Sequence, residues 1–191
     1  MADEKQETAK LVKQQKREWA TVLAPKSIQN QEIGEITFSD PNTLVGRQIR
    51  FNADSFSGGK SNFSQWLTLQ INDVKGKTAY TRLRSFEIVK SYISRMARTE
   101  TKNIDFVQVH QAKDAKIKYK FILFSNKRIP HHVSAKTQAL ISKTIKDQIS
   151  KKESEEVMSL KMIKGLEKQI QKDTRKIYPF KKILITRVVL L

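Results

Sequence analysis

Apolar and polar positions along this chain change period twice, and the changes divide it into elements. Residues 1–18 mix both signs of charge with almost no apolar periodicity, which predicts a mobile arm or short helix. Order is expected to begin at Trp19, where WATVLAPKSI reads as extended and is ended by Pro25. Asp40-Pro41 marks a turn ahead of an alternating segment from Leu44 to Phe51. Gly58-Gly59, inside SFSGGKSNF, reads as a hairpin turn or flexible loop. FSQWLTLQINDV then alternates at period two, with Trp66, Thr68 and Gln70 on one side and Leu67, Leu69 and Ile71 on the other. Lys75-Gly76-Lys77 is a tight turn, and TAYTRLRSF returns as the second arm of a hairpin.

Phe86, Val89, Ile93 and Met96 recur at three- and four-residue spacing, which predicts a helix over 86–97 with Lys90, Arg95 and Arg98 on its other face. IDFVQVHQ and AKIKYKFILF resume strand character around a charged turn at Lys113-Asp114. Helices are predicted over 134–151, striped by Ile141, Ile145 and Ile149, and over about 155–173, striped by Leu160, Ile163, Leu166 and Ile170. Pro179 separates the second helix from a closing strand, FKKILITRVVLL. The order of elements predicts an α+β fold: an antiparallel β-barrel-like core flanked by helices, with a C-terminal pair of basic helices and a closing strand. A single domain over 19–191 is expected, preceded by the 1–18 arm.

Charge changes the picture from fold to function. The 191 residues carry 37 Lys+Arg against 19 Asp+Glu, a net +18. Residues 113–191 alone hold twenty basic and seven acidic side chains, so most of the excess lies there. Self-repulsion of that size destabilises a compact chain unless a polyanion screens it. On the first long helix Lys136, Lys143, Lys146 and Lys151 fall opposite the isoleucine stripe, with only Asp147 to balance them. The cluster KRIPHH adds Lys127, Arg128, His131 and His132. The excess continues through Lys172, Arg175, Lys176, Lys181, Lys182 and Arg187. Lysine approaches a phosphate without strict geometry, whereas Arg128 can make a planar bidentate contact. Trp66 and Phe63 could stack on bases, but at strand positions they read first as core.

Enzyme chemistry finds little support. The chain has no GxxxxGK[ST] loop, no GxSxG elbow and no cysteine. His131 and His132 are adjacent and so diverge on any regular element, which suits a phosphate-contacting pair better than a metal site. No metal or cofactor is expected. No apolar run approaches the ~20 residues of a membrane helix, and MADEKQETAK lacks the apolar stretch of a signal peptide. A phosphate- and shape-reading nucleic-acid binder is left, with RNA and DNA undivided by composition. A free regulator of mRNA, a nucleoid-type protein and an enzyme of acidic substrates stand as alternatives.

Longer segments are more specific. W-x-x-V-x-A-P-K at Trp19 to Lys26, EIGEITFSDPNTLVGR at 32–47, VKGKTAYTRLRSFEIVKSYISRMAR at 74–98 and the ending KIYPFKKILITRVVLL occur in an order and spacing that resemble the archaeal and eukaryotic small-subunit ribosomal protein family S-three-A-e, also called e-S-one. The resemblance covers about 19–191. It implies a barrel-like core on the small-subunit platform, near the 3′ end of the rRNA and the mRNA exit, and no catalysis. It also implies small-subunit rRNA and neighbouring ribosomal proteins as partners, contact with mRNA near the exit, and a cytoplasmic location. Carried over by residue, it points to RNA contacts at Arg47, Arg82, Arg84, Arg95, Arg98, Lys127, Arg128 and Lys136. Lysine, histidine and neutral residues replace part of the family's arginine in RMARTETKNID and KRIPHHVSAKTQALISK.

Overall fold

A computed structural model describes residues 17–25, 30–53, 65–97, 102–150 and 152–191. Its strands are β1 (Glu18–Leu23), β2 (Glu32–Phe38), β3 (Gln48–Asn52), β4 (Gln65–Lys75), β5 (Thr78–Ile88), β6 (Lys102–Gln111), β7 (Lys116–Ser125) and β8 (Lys182–Leu190). Its helices are α1 (Lys90–Met96), α2 (His131–Ile149), α3 (Ser154–Val157) and α4 (Leu160–Thr174). The predicted arm lies mostly outside the described residues, as does the Gly58-Gly59 loop.

All eight strands form one sheet, in the order β2-β1-β5-β8-β7-β6, with β4 pairing the other edge of β5 and β3 pairing β4. β5 is the hub. β4 runs antiparallel along nearly its whole length. Its second edge is divided: β1 pairs in parallel with Thr78 to Tyr80, and β8 pairs antiparallel with Ser85 to Glu87. The hairpin between β4 and β5 turns on Gly76-Lys77, with Gly76 at φ 60, a conformation that penalises any side chain with a Cβ.

Two expectations are corrected. Among the described residues the sheet does not close into a barrel, because β6 pairs only with β7 and β3 only with β4. The helix predicted over 86–97 is a strand to Ile88 followed by α1. A bulge in the pairing of β4 with β5, between Thr68 and Leu69, gives β5 one extra residue, Arg84. The stripe of Phe86, Val89, Ile93 and Met96 straddles the end of β5: Phe86 belongs to the strand and Ile93 and Met96 to α1, so the three-residue step across the join imitates a helix turn. β2 was not anticipated from the sequence; its burial does not alternate, and only Phe38 is fully buried.

Alternation sorts the sheet into two faces. Leu67, Leu69, Phe86, Ile117, Tyr119, Phe121, Leu123, Ile183, Ile185 and Val188 are buried on the face that α2 and α4 cover. Ile141, Ile145 and Ile149 of α2, with Ile163, Leu166 and Ile170 of α4, complete this core, so both predicted stripes face inward. The second predicted helix is divided: α3 ends at Val157, and Ser159 then caps α4 by accepting the Met162 N–H. α1 lies on the opposite face, against one end. There Lys182 Nζ donates to Tyr92 Oη at 2.7 Å, and Ile122, Phe124 and Leu184 are buried. A smaller core joins Ala20, Val22, Phe38, Leu44, Ile71 and Ala79 beneath β1 and β2.

Candidate nucleic-acid interface

The helix α2 sets the geometry of the main basic surface. Its buried side is Thr137, Ile141, Ile145 and Ile149. At 100° per residue, His132, Lys136 and Lys143 lie along the directly opposite ridge, and all three are exposed. Lys146 is exposed too but is turned toward β6, where its charge acts on His110. His110 is buried, and burial first, then Lys146, lowers its pKa. Its Nε2 is 3.1 Å from Gln108 Oε1, and Gln108 in turn donates to the Gln138 carbonyl at 3.0 Å, which fixes α2 against β6.

Strand and helix ends gather further cations at one pole of the sheet. β7 ends there and β8 begins there, and the Lys181 N–H donates to the Phe124 carbonyl at 2.9 Å. The hydroxyl of Ser125 bridges the two segments, 3.1 Å from Tyr178 Oη and donating to the Lys127 carbonyl at 2.9 Å. Exposed Lys127, Arg128, His131, His132 and Lys181 therefore share this pole, beside Lys176 just past the end of α4. α1 adds Arg95, whose guanidinium carbon is 5.8 Å from the centre of the Tyr92 ring, while Lys182 Nζ is 5.2 Å from the same ring. Lys90 is exposed at the start of α1. The N-terminus of α2 has no side-chain cap at Pro130, so the positive end of its dipole adds to the field.

Few carboxylates oppose this field. The sequence has no Asp or Glu between Asp114 and Asp147, none between Glu87 and Glu100, and none after Asp173. Each segment that builds the pole thus contributes cations alone.

Other expected contacts sit elsewhere or are already engaged. Arg47 is exposed beside β3, donates to the Thr37 carbonyl at 3.4 Å and lines a cleft of about 360 Å³ with Arg17, Asp40 and Thr43. Arg82 and Arg84 are half-buried on β5. Arg82 donates to Gln70 Oε1 at 3.2 Å, and its Nε is buried without a partner among the described residues. Lys182 is half-buried and held by Tyr92. Arg98 and Lys151 lie outside the described residues. Among the described residues no group of three or more His, Asp or Glu could hold a metal ion, and no helix is long and apolar enough to cross a membrane.

A basic pole and an unbalanced helix ridge suit a folded polyanion, and comparison with known proteins says which class of molecule carries them. The sequence model of the Ribosomal S3Ae family matches residues 5–191. The chain belongs to this family. The S3Ae family is one of ribosomal proteins, not of enzymes. Among curated S3Ae relatives, the small ribosomal subunit protein eS1 of Methanobrevibacter smithii is 26% identical over 90% of this chain and 89% of its own length. The eS1 of Archaeoglobus fulgidus is 25% identical over 92% of this chain and 84% of its own, and that of Methanopyrus kandleri 25% over 91% and 84%. The S3Ae frame seen here is thus an open mixed sheet with helices on both faces, joined to a basic pole.

Proposed function

We propose that this chain is a structural component of the small ribosomal subunit that binds rRNA through the pole and the outer ridge of α2. The observation that carries the reading is the cation cluster at Lys127, Arg128, His131, His132, Lys136 and Lys143, with Asp147 as the one acid on the same helix, on a chain of the S3Ae family. A-form RNA offers phosphates and 2′-hydroxyls on its surface and hides its bases in a deep, narrow groove. Exposed lysines on a rigid helix answer that surface: they neutralise phosphates crowded by RNA folding and need no base-specific geometry. Arg47, Lys90, Arg95, Lys146, Lys176 and Lys181 extend the same field, with Arg98 and Lys151 as further contacts from the sequence. Arg82, Arg84 and Lys182 serve the fold before they serve RNA, since burial limits their reach.

Placement on the platform near the rRNA 3′ end and the mRNA exit, beside other ribosomal proteins, belongs to the same proposal and rests on the sequence resemblance. Sedimentation of a gentle lysate of cells expressing the tagged chain tests it. The expected result is co-migration with small subunits and whole ribosomes at about one copy each, persisting at moderate salt. A peak at the top of the gradient at moderate salt would overturn the reading in favour of a free nucleic-acid binder.

A further inference from the structure

Away from α1, the face of the sheet opposite α2 and α4 bears no helix among the described residues. Strand register assembles two straight rows across six strands of it. One row runs Asn52, Trp66, Glu87, Arg187, Lys120, Val107 from β3 to β6. The next runs Arg50, Thr68, Ser85, Val189, Lys118, Val109. At about 4.8 Å per strand the rows span about 24 Å.

Their composition is unusual for a face left to water. Val107 and Val109 are 48% and 52% exposed. The Arg50 guanidinium carbon sits 4.8 Å from the Trp66 ring centre. The two acids nearby are already paired: Glu87 with Arg50 at 3.2 Å and Asp105 with Lys120 at 3.8 Å. Lys118 and Arg187 are exposed and have no acidic partner within 4.0 Å among the described residues. The face is therefore net basic and set with one aromatic ring and several aliphatic side chains.

We infer that this face binds a single-stranded RNA segment, as a second surface on the side of the sheet away from the α2 ridge. Trp66, steadied by Arg50, is a stacking platform for a base; Lys118, Lys120 and Arg187 hold the backbone that follows; Val107, Val109 and Val189 give further bases an apolar floor. A duplex suits this face poorly, because its bases are already stacked and the ring of Trp66 would gain nothing from them. An acidic protein segment would meet the lysines but leave Trp66 without a stacking partner. The inference rests on the rRNA-binding reading and adds to it the strandedness of the RNA and the face that receives it.

The probe is an oligouridylate about ten nucleotides long, added to the full chain carrying Trp19→Phe, so that Trp66 is the one remaining tryptophan. Stacking should quench Trp66 fluorescence, and Trp66→Ala, read by anisotropy of a labelled oligomer, should weaken binding about five- to a hundredfold. Lys118→Gln with Arg187→Gln, both exposed and harmless to the core, should lower the salt slope by about 1.4, at about 0.7 per phosphate on a single strand. Lys136→Gln with Lys143→Gln should leave that slope unchanged. Unaltered binding and slope in the sheet variants would overturn the inference while leaving ribosome association, read by sedimentation, untouched. Binding of a labelled acidic peptide but not of the oligouridylate, both read by anisotropy, would overturn it in favour of a protein partner.

Discussion

Lys136 and Lys143 are the sharpest place to test the α2 ridge. Both are exposed, both lie opposite the isoleucine stripe, and neither has an acidic partner within 4.0 Å among the described residues. Replacing both by Gln keeps helix propensity and touches no buried atom, so stability should move by less than about 0.5 kcal/mol. If each lysine neutralises one phosphate of duplex RNA, and duplex RNA releases counterions as duplex DNA does, the slope of log affinity on log salt should flatten by about 1.8. Between about 200 and about 50 mM salt, the advantage of the parent chain over the variant should then grow about twelvefold. Filter binding or anisotropy with a small-subunit rRNA transcript, at several salt concentrations, reads this directly. An advantage that stays constant across the salt range would refute the argument, because a structural or hydrogen-bonding loss carries no counterion signature. A Lys→Gln pair at the exposed Lys161 and Lys164 of α4 serves as the control for simple loss of charge.

Two further predictions concern buried titrating groups. Glu167 Oε1 accepts the Ile185 N–H at 2.8 Å, next to the bulge at Thr186, and burial raises its pKa against the opposing pull of that hydrogen bond and of Lys182 and Lys164. A raised carboxylate favours the native state at low pH and loses that contribution as pH rises through its folded pKa. Glu167→Gln, which keeps an acceptor, should therefore hold or raise the neutral-pH melting temperature relative to the parent, with the gap narrowing toward pH values near 4.5. Glu167→Leu orphans the N–H and should cost about 1–3 kcal/mol by denaturant unfolding. For His110 the sign is reversed: its lowered pKa gives stability that is present above the ordinary value of 6.5 and lost as pH falls through the folded value. Lys146→Gln should move the His110 titration upward in an NMR pH series, and an unmoved titration would break the proposed link between α2 and β6.

The parts of the fold legible in the sequence were those where one period persists. The β4–β5 hairpin and the stripes of α2 and α4 are set by local alternation or helical spacing, and their buried faces are those the pattern names. The closing strand was legible too, since six of the nine residues of β8 are apolar. Period failed where pairing intervened. The step from Phe86 in β5 to Val89 and α1 disguised the end of the strand as helix, and β2 hides because its burial does not alternate and only Phe38 is fully buried. The missing barrel closure depends on which edges meet, and no local pattern records that. The α2 ridge was readable for the same reason as its stripe. The pole was half-readable: KRIPHH stands out in the sequence, but its meeting with Lys181 depends on β7 and β8 pairing. The two rows on the face opposite α2 and α4 draw single residues from six strands, and only their register brings Trp66 into line with Arg187.

The place of β8 bears on how the molecule is assembled during synthesis. Among the described residues, β1 to β5 form one connected patch of sheet and β6 with β7 another, and the two are joined only through β8, which follows all of them in the chain. Until then each patch exposes an apolar edge, Phe86 on one side and Phe121 on the other, waiting for Val188 and Ile185. Contacts this distant in sequence form slowly, and unpaired strand edges invite association with other chains. Before β8 is available the topology offers two half-sheets on a strongly cationic chain, each with an unpaired edge of the kind that favours association. Pairing of β8 with β5 and β7 covers both edges at once, so the union of the two half-sheets rests on a nine-residue strand.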